Sequence, residues 1–157
     1  MNRKGFTLVE LLVVIVIIGI LATLATVALG SARLKARDAR RISDIKQIQT
    51  ALELYYNDMQ RYPTTAASNG EFEGGTDLAD VAGTVVYMAS VPEEATATLG
   101  DCDVAGFTYN GYRYWGTKAD GTGDNASPVS YAIEYCLGGT TGDIAAGLHT
   151  ASTAGIK

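Results

Sequence analysis

The 157-residue sequence contains few of the residues from which catalytic and metal sites are usually built. It has one histidine, His149, which lies in a tail of small residues and is expected to be solvated. Its two cysteines, Cys102 and Cys136, lack the second pair of ligands that a structural zinc site requires. We find no catalytic constellation, so the sequence predicts a protein that is not an enzyme and that uses no cofactor.

Positive charge is scarce in the last two thirds of the chain. From residue 51 to the end there are 14 acidic and 4 basic residues, a local net charge of −10 (4 minus 14). Nucleic-acid binding requires clustered Lys and Arg, so this acidic body argues against nucleic acid as a partner. The balance is reversed between residues 33 and 46, where six basic residues stand against two acidic ones.

The two cysteines allow a single intramolecular pairing. A disulfide between Cys102 and Cys136 would close a loop of roughly 33 residues and stabilise the domain by roughly 3–4 kcal/mol. Such a bond requires an oxidising compartment. The alternative is a pair of unpaired, buried thiols.

Polar side chains are absent from residues 11–22. This stretch is part of a longer apolar segment, residues 8–29, which would span about 33 Å as a helix and so cross a bilayer core of about 30 Å. Four residues interrupt the segment: Glu10, Gly19, Thr23 and Thr26. Arg3 and Lys4 precede it and favour a cytoplasmic N-terminus, although the bases that follow the segment weaken this bias.

Proline and glycine are absent from residues 32–59, so the helix is predicted to continue beyond the apolar segment and to form a rod of roughly 80 Å. Apolar residues at steps of three and four make one stripe along it. The stripe consists of Ala39, Ile42, Ile45, Ile48, Leu52, Tyr55 and Met59. Tyr62 and Pro63 are expected to end the helix, because the residue before a proline disfavours helical geometry.

Two later segments predict strands. Residues 106–117 are rich in aromatic side chains, and residues 129–137 alternate and are rich in β-branched and aromatic residues. They are expected to form an antiparallel hairpin, with a third strand from near Val85 or from the tail, residues 138–157, which is otherwise expected to be poorly ordered. A small sheet must bury its apolar face, and the amphipathic part of the helix is the available surface. The predicted fold class is therefore α+β.

Residues 118–125 join the two predicted strands. Asp120, Asp124 and Asn125 in this segment are weak candidates for oxygen ligands of a calcium ion. Their spacing does not match the twelve-residue calcium loop. A plain hairpin loop is the favoured interpretation.

The most informative stretch is Lys4-Gly5-Phe6-Thr7-Leu8-Val9-Glu10, followed at once by the apolar helix. It resembles the N-terminus of type IV pilin precursors and type II secretion pseudopilins, over roughly residues 3–25. The resemblance implies cleavage between Gly5 and Phe6 by a prepilin peptidase of the inner membrane, followed by N-methylation of Phe6. It also implies a leader (1–5), a membrane-spanning and polymerisation helix (6–30), an amphipathic helix (31–62) and a β-rich head (63–157).

Glu10 is the predicted assembly residue. Ionisable residues within membrane segments are usually functional and paired, and the new amine on Phe6 is the expected partner, in the same chain or in a neighbouring subunit. Docking of a subunit that supplies this amine would relieve the unpaired charge and fix the axial register of a filament. The alternative is that Glu10 merely sits at the membrane interface.

The resemblance further implies four partners: other copies of the chain in a helical filament, the prepilin peptidase and methyltransferase, an inner-membrane assembly platform, and membrane lipid before assembly. The subunit would begin as a single-pass membrane protein with an extracytoplasmic head and end in a cell-surface filament. A type IV pilin is the favoured form, because a disulfide-closed C-terminal region is more typical of pilins, and a type II secretion pseudopilin is the alternative. A DNA-uptake pilin, a membrane-anchored binding or enzyme domain and an ordinary secretory signal are further alternatives.

One departure from the resemblance concerns the bend of the helix. Many relatives carry a proline near the position of Val27, and this chain has none there. Gly19 and Gly30 are the positions where the helix is expected either to loosen or to pack closely against another helix.

Overall fold

The computed structural model describes residues 5–64, 75–80, 82–92, 112–120, 122–123 and 126–156. Several predictions fall outside these ranges, namely those on Cys102, Asp124, Asn125, most of the leader and the first part of the segment 106–117. Within them the predicted fold class is confirmed. One long N-terminal helix is followed by small antiparallel sheets.

The helix, α1, runs without interruption from Leu8 to Met59, which at 1.5 Å per residue is about 78 Å. It begins where Thr7, in an extended conformation, caps the first turn. It ends earlier than Tyr62: Gln60 adopts the left-handed conformation (φ 56°, ψ 23°) and donates its N–H to the Tyr56 carbonyl at 2.8 Å. By length and composition, α1 is the one helix in the described residues that could cross a membrane.

The larger sheet has four antiparallel strands in the order β3-β4-β5-β6. Their bounds are β3 Arg113–Thr117, β4 Ser130–Leu137, β5 Gly147–Ser152 and β6 Gly155–Ile156. The predicted hairpin is β3 and β4, with Arg113 opposite Glu134 and Thr117 opposite Ser130. The third strand comes from the tail, because β5 pairs along β4 from Ala132 to Leu137.

A second, two-stranded sheet consists of β1 (Leu78–Ala79) and β2 (Val86–Met88). The segment near Val85 therefore forms a strand, but the strand does not join the larger sheet. Asp80 closes the β1–β2 hairpin by accepting hydrogen bonds from the N–H of Thr84 (2.6 Å) and of Val85 (3.0 Å).

The core lies between one face of the larger sheet and the C-terminal half of α1. From α1 come Ile45, Ile48, Ala51 and Leu52, and from the sheet come Tyr114, Tyr131, Ile133, Tyr135, Leu137 and Ala151. The odd-numbered positions of β4 point inward, as the predicted alternation requires. The amphipathic part of the helix is thus the surface on which the sheet packs.

Three expectations about individual positions were wrong. The tail is ordered as β5 and β6, because it pairs with the buried strand β4. His149 is half-buried rather than solvated: its ring lies 5.6 Å from that of Tyr135, and its Nε2 is 2.8 Å from the Ala145 carbonyl oxygen. Ala39 is exposed, whereas its neighbour Asp38 is buried.

Candidate functional site

The N-terminal end of α1 carries three of the predicted site residues. Gly5 and Phe6 are exposed and precede the helix, and the Phe6 side chain is 83% exposed. Glu10 lies in the first turn of α1. The predicted cleavage position is therefore accessible and lies directly before the start of the rod.

Glu10 and Thr7 form a reciprocal capping box. The Glu10 carboxylate accepts hydrogen bonds from the Thr7 N–H (2.9 Å) and the Thr7 hydroxyl (2.8 Å). In return the Thr7 hydroxyl oxygen accepts from the Glu10 N–H at 3.3 Å. This arrangement satisfies backbone donors that the first turn leaves open, and it fixes the carboxylate over the start of the helix.

The capping box is a role for Glu10 that the sequence analysis missed, although the spacing Thr-x-x-Glu before an apolar run is its usual signature. The predicted partner of Glu10, the amine of Phe6, does not exist in the uncleaved chain. The nitrogen of Phe6 is one residue from the Thr7 nitrogen that the carboxylate contacts. The pairing with the amine stays a prediction.

The surface that follows Glu10 is apolar and open. No residue in the most apolar 18-residue stretch of α1 is buried within the chain. Large side chains from Leu11 to Leu29 are about half exposed or more. Gly19 and Gly30 lie in the unbroken helix, and a Cβ at either would meet nothing within 4 Å in the described residues. Within the described residues, the apolar half of α1 is therefore left uncovered by the rest of the chain.

A buried polar junction joins α1 to the end of the sheet. Asp38 and Arg41 are both 0% exposed and form an ion pair with Nη1 and Oδ1 2.9 Å apart. The Asp38 carboxylate also accepts the backbone N–H groups of Gly138 (3.0 Å) and Gly139 (2.8 Å), which follow β4. A charge-assisted bond to two consecutive N–H groups fixes where the head sits along the rod.

From the sequence, Arg41 was one of the six basic residues between residues 33 and 46, and Asp38 was not predicted to have a role. A signal was present, because Asp38 and Arg41 are three residues apart and flank the apolar stripe. The partner, however, lies 100 residues away in the chain. No local pattern identifies a turn at that separation.

Towards the C-terminal end of α1, tyrosine hydroxyls make hydrogen bonds that attach the head to α1 or to the segment that follows it. Tyr112 donates to the buried Asp44 carboxylate at 3.0 Å, Tyr62 donates to Glu53 at 3.0 Å, and the Tyr114 hydroxyl reaches the Pro63 carbonyl at 2.8 Å. Burial raises the pKa of Tyr114, and burial together with the hydrogen bond to Glu53 raises that of Tyr62. Burial also raises the pKa of Tyr131 to about 12.

The candidate calcium ligand Asp120 is engaged within its own turn. Its carboxylate accepts from the hydroxyl (2.7 Å) and the N–H (2.9 Å) of Thr122. These hydrogen bonds hold the pKa of Asp120 below its usual range. In the parts of the chain that the structure describes, no three acidic, histidine or cysteine residues are grouped so as to hold a metal ion.

Cys136 lies at the end of β4, fully buried and disulfide-bonded. Its predicted partner, Cys102, is outside the described residues. Cys136 is two residues before Gly138, so the disulfide bond restrains β4 just before the turn whose N–H groups contact Asp38.

Comparison with known proteins gives two findings. A family model described as the prokaryotic N-terminal methylation motif matches residues 1–26. The chain is also similar to proteins named type II secretion system core protein G. It is 48% identical to that of Aeromonas hydrophila and 47% to that of Klebsiella michiganensis, in each case over 64 residues that cover 41% of this chain and 45% of the relative. To that of Dickeya chrysanthemi it is 43% identical over 69 residues, 44% of this chain and 45% of the relative.

The chain therefore spans less than half the length of the curated relatives it matches. No solved structure matches it. These findings support the resemblance to pilins and pseudopilins that the N-terminal residues carry.

Proposed function

We propose that the chain is a structural subunit of a type II secretion pseudopilus or a closely related type IV pilus-like filament, and that it polymerises through α1. The observation that carries the proposal is the methylation motif of residues 1–26, placed on a helix whose apolar half is left uncovered by its own head. Such a helix needs a membrane before assembly and copies of itself afterwards. In a filament the same surface makes a heterologous, non-closing contact.

The pseudopilin form is favoured by the names of the relatives, which are all core protein G of type II secretion systems. A type IV pilin is the second candidate. Its support is the disulfide bond of Cys136, since a disulfide-closed C-terminal region is more typical of pilins. Both candidates share the processing, the membrane stage and the self-assembly.

In this proposal Gly5 and Phe6 form the cleavage site, and Phe6 becomes the methylated N-terminus. Gly5 is exposed and lies outside the helix, and a glycine can enter a protease cleft without a side-chain clash. Glu10, released from part of its capping role, pairs with the amine of an incoming or adjacent subunit. The prepilin peptidase and an inner-membrane assembly platform are the proposed partners, and the head lies on the extracytoplasmic side.

Mass spectrometry of the mature N-terminus from native cells tests the processing step. We expect a chain that starts at methylated Phe6. A Gly5→Val variant should retain its leader, and Gly19→Ala is the matched control because both positions have open space around a Cβ. A mature chain that starts at Met1, or one cut near residue 31, would refute the proposal.

Deletion in native cells then separates the two candidate forms. Loss of protein export with few surface filaments indicates a pseudopilin. Surface filaments built mostly of this chain, lost on deletion while export continues, indicate a pilin. Loss of transformation alone indicates an uptake component.

A further inference from the structure

A band of basic side chains surrounds α1 immediately beyond its apolar half. Arg33, Lys35 and Arg40 are exposed and Arg37 is half-buried. The one acidic residue between residues 31 and 43 is Asp38, which is 0% exposed and turned into the junction with the head. Arg37 is engaged in an interaction within the protein, so we define the band as the exposed bases Arg33, Lys35 and Arg40. Its outer surface is predominantly positive, because Asp44, whose Oδ2 lies 3.9 Å from Arg40 Nε, is only 5% exposed.

The position of the band places it at the level of lipid headgroups. The apolar segment ends at Leu29, and at 1.5 Å per residue Arg33, Lys35 and Arg37 lie about 6 to 12 Å further along the axis. The headgroup layer on one side of a bilayer is about 5–8 Å deep, half the difference between its total and its hydrocarbon thickness. Flexible side chains reach back into that layer. Arg37 and Arg40, about 12 and 17 Å beyond Leu29, lie outside that layer, so Arg33 and Lys35 are the bases closest to the lipid phosphates.

The shape of the helix surface also suits a phosphate group. Gly30 and Ala36 leave an open cleft of about 490 Å³ on α1, with Arg33 and Arg37 as its other lining residues. The exposed Arg33 guanidinium, beside a cleft with a small-residue floor, can bind a phosphate by paired hydrogen bonds. The exposed part of the head offers no such group of bases, since the chain from residue 51 onward is acidic overall.

We propose that the basic band binds the phosphate groups of anionic phospholipids on the side of the membrane where the head lies. This inference rests on the membrane stage of the proposed function. Binding fixes the depth of the subunit in the bilayer and holds the acidic head away from a negatively charged surface. Because each contact is electrostatic and close to water, salt weakens it.

The test uses the full chain reconstituted in vesicles of equal parts phosphatidylglycerol and phosphatidylcholine. The fraction of spin-labelled lipid that is immobilised by the protein is measured for each headgroup. We expect a preference for phosphatidylglycerol, and we expect the double variant Arg33→Gln/Lys35→Gln to reduce it by about fivefold or more. Within the described residues neither side chain makes a hydrogen bond or an ion pair, so the head should fold normally.

The matched control is Arg61→Gln/Lys118→Gln, which changes the net charge by the same amount. Arg61 follows the end of α1, roughly 45 Å beyond Leu29, and should leave the preference unchanged. Added salt should reduce the preference of the wild type towards that of the double variant. A charge-conserving Arg33→Lys variant should keep most of it.

Three outcomes would overturn the inference. The first is equal immobilisation of both lipids by inserted wild-type protein, and the second is an unchanged lipid preference in the double variant. The third is an unchanged lipid preference in the double variant together with loss of its self-association. That third outcome would mean that the band binds the acidic head of a second copy. Failure of the chain to float with vesicles of either lipid is a different result. It would refute the membrane stage of the proposed function itself.

Discussion

The backbone N–H of Gly139 donates a hydrogen bond of 2.8 Å to the carboxylate of Asp38, which lies 101 residues earlier in the chain. The contact joins the turn after β4 to the side of α1. Gly138 donates to the other carboxylate oxygen, and Arg41 shares that oxygen. Since Asp38 and Arg41 are fully buried, the turn after β4 is attached to α1 by a desolvated, charged junction.

Replacing Asp38 by Ala should lower the free energy of unfolding of the head by about 3–5 kcal/mol, because it breaks the buried ion pair with Arg41 and removes the acceptor of the Gly138 and Gly139 N–H groups. Asp38→Asn should cost less, since an amide oxygen still accepts one glycine N–H. The measurement is urea unfolding in detergent, followed by near-ultraviolet circular dichroism of the tyrosines. Asp143→Ala, at an exposed acid in the next turn, should stay within about 0.5 kcal/mol of wild type. A loss below about 1 kcal/mol for Asp38→Ala would show that the junction does not anchor the head.

The close approach at Gly139 predicts coupling to Leu34. A Cβ at position 139 would lie 3.3 Å from Leu34 Cδ2, tighter than ordinary contact. Gly139→Ala should therefore cost about 1–3 kcal/mol through overpacking. Adding Leu34→Ala should recover part of that cost, so a double-mutant cycle should give a coupling energy of at least about 0.5 kcal/mol.

The control for this coupling is Gly142, three residues further on. Its φ is +61° and a Cβ there meets nothing within 4 Å, so Gly142→Ala should destabilise through the backbone alone. It should show no coupling to Leu34→Ala. Additive effects at both glycines would mean that Leu34 simply moves aside.

The sequence was sufficient to predict the elements whose signals are local. The helix begins only two residues after its predicted start and ends only three residues before its predicted end, because an apolar run, an amphipathic stripe and the absence of proline all act along a single helix. The hairpin of β3 and β4 was predicted for the same reason. Four stripe positions, Ile45, Ile48, Leu52 and Tyr55, are buried as expected.

The missed elements depend on contacts that are distant in the chain. Strand β5 contains Gly147 and has exposed residues at Leu148 and Thr150, so its own pattern is weak. It becomes a strand because β4 offers a free edge for pairing, a tertiary effect that outweighs propensity. The Asp38 junction was missed likewise, since its charge is balanced by a turn that no helical pattern reveals. The Thr7–Glu10 capping box is different, because it is local and the Thr-x-x-Glu spacing is sufficient to predict it.

The two roles of Glu10 can be separated by changing Thr7. Thr7→Val removes the hydroxyl of the capping box but leaves the Glu10 carboxylate in place. If pairing with the Phe6 amine drives assembly, Thr7→Val should keep filament yield within about threefold of wild type. The reason is that the loss of one N-cap typically costs about 1 kcal/mol of helix stability. Glu10→Gln, which keeps a hydrogen-bond acceptor but removes the charge, should reduce the yield at least about tenfold.

Filament yield is measured by shearing and quantifying surface fibres, or by pelleting fibres from an overexpressing strain. Membrane flotation of both variants is the control, because each should still insert. If Thr7→Val loses as many filaments as Glu10→Gln, the capping box rather than the charge is the assembly requirement.

The buried tyrosines predict that stability falls in alkali. Tyr131 has its pKa raised to about 12, and the pKa values of Tyr62 and Tyr114 are raised as well, whereas a tyrosine in the unfolded chain titrates near pH 10. Between those values the folded state retains protons that the unfolded state releases. The contribution of these groups is thus complete below about pH 10 and is lost progressively as the pH rises towards 12.

The free energy of unfolding, measured by urea titration in detergent at a series of pH values, should start to decline near pH 10. Its slope corresponds to the additional protons that are released on unfolding, one for each tyrosine whose pKa is raised in the folded state, and these include Tyr87 and Tyr135 as well as the three named above. Tyr131→Phe should make the decline shallower by about one proton while leaving the pH at which it begins unchanged. The folded protein should also show delayed tyrosinate absorbance relative to the urea-unfolded chain. Equal absorbance titrations of the two states would mean that the hydroxyls of Tyr62, Tyr114 and Tyr131 reach water, and that Tyr62 and Tyr114 are not held by their hydrogen bonds to Glu53 and to the Pro63 carbonyl.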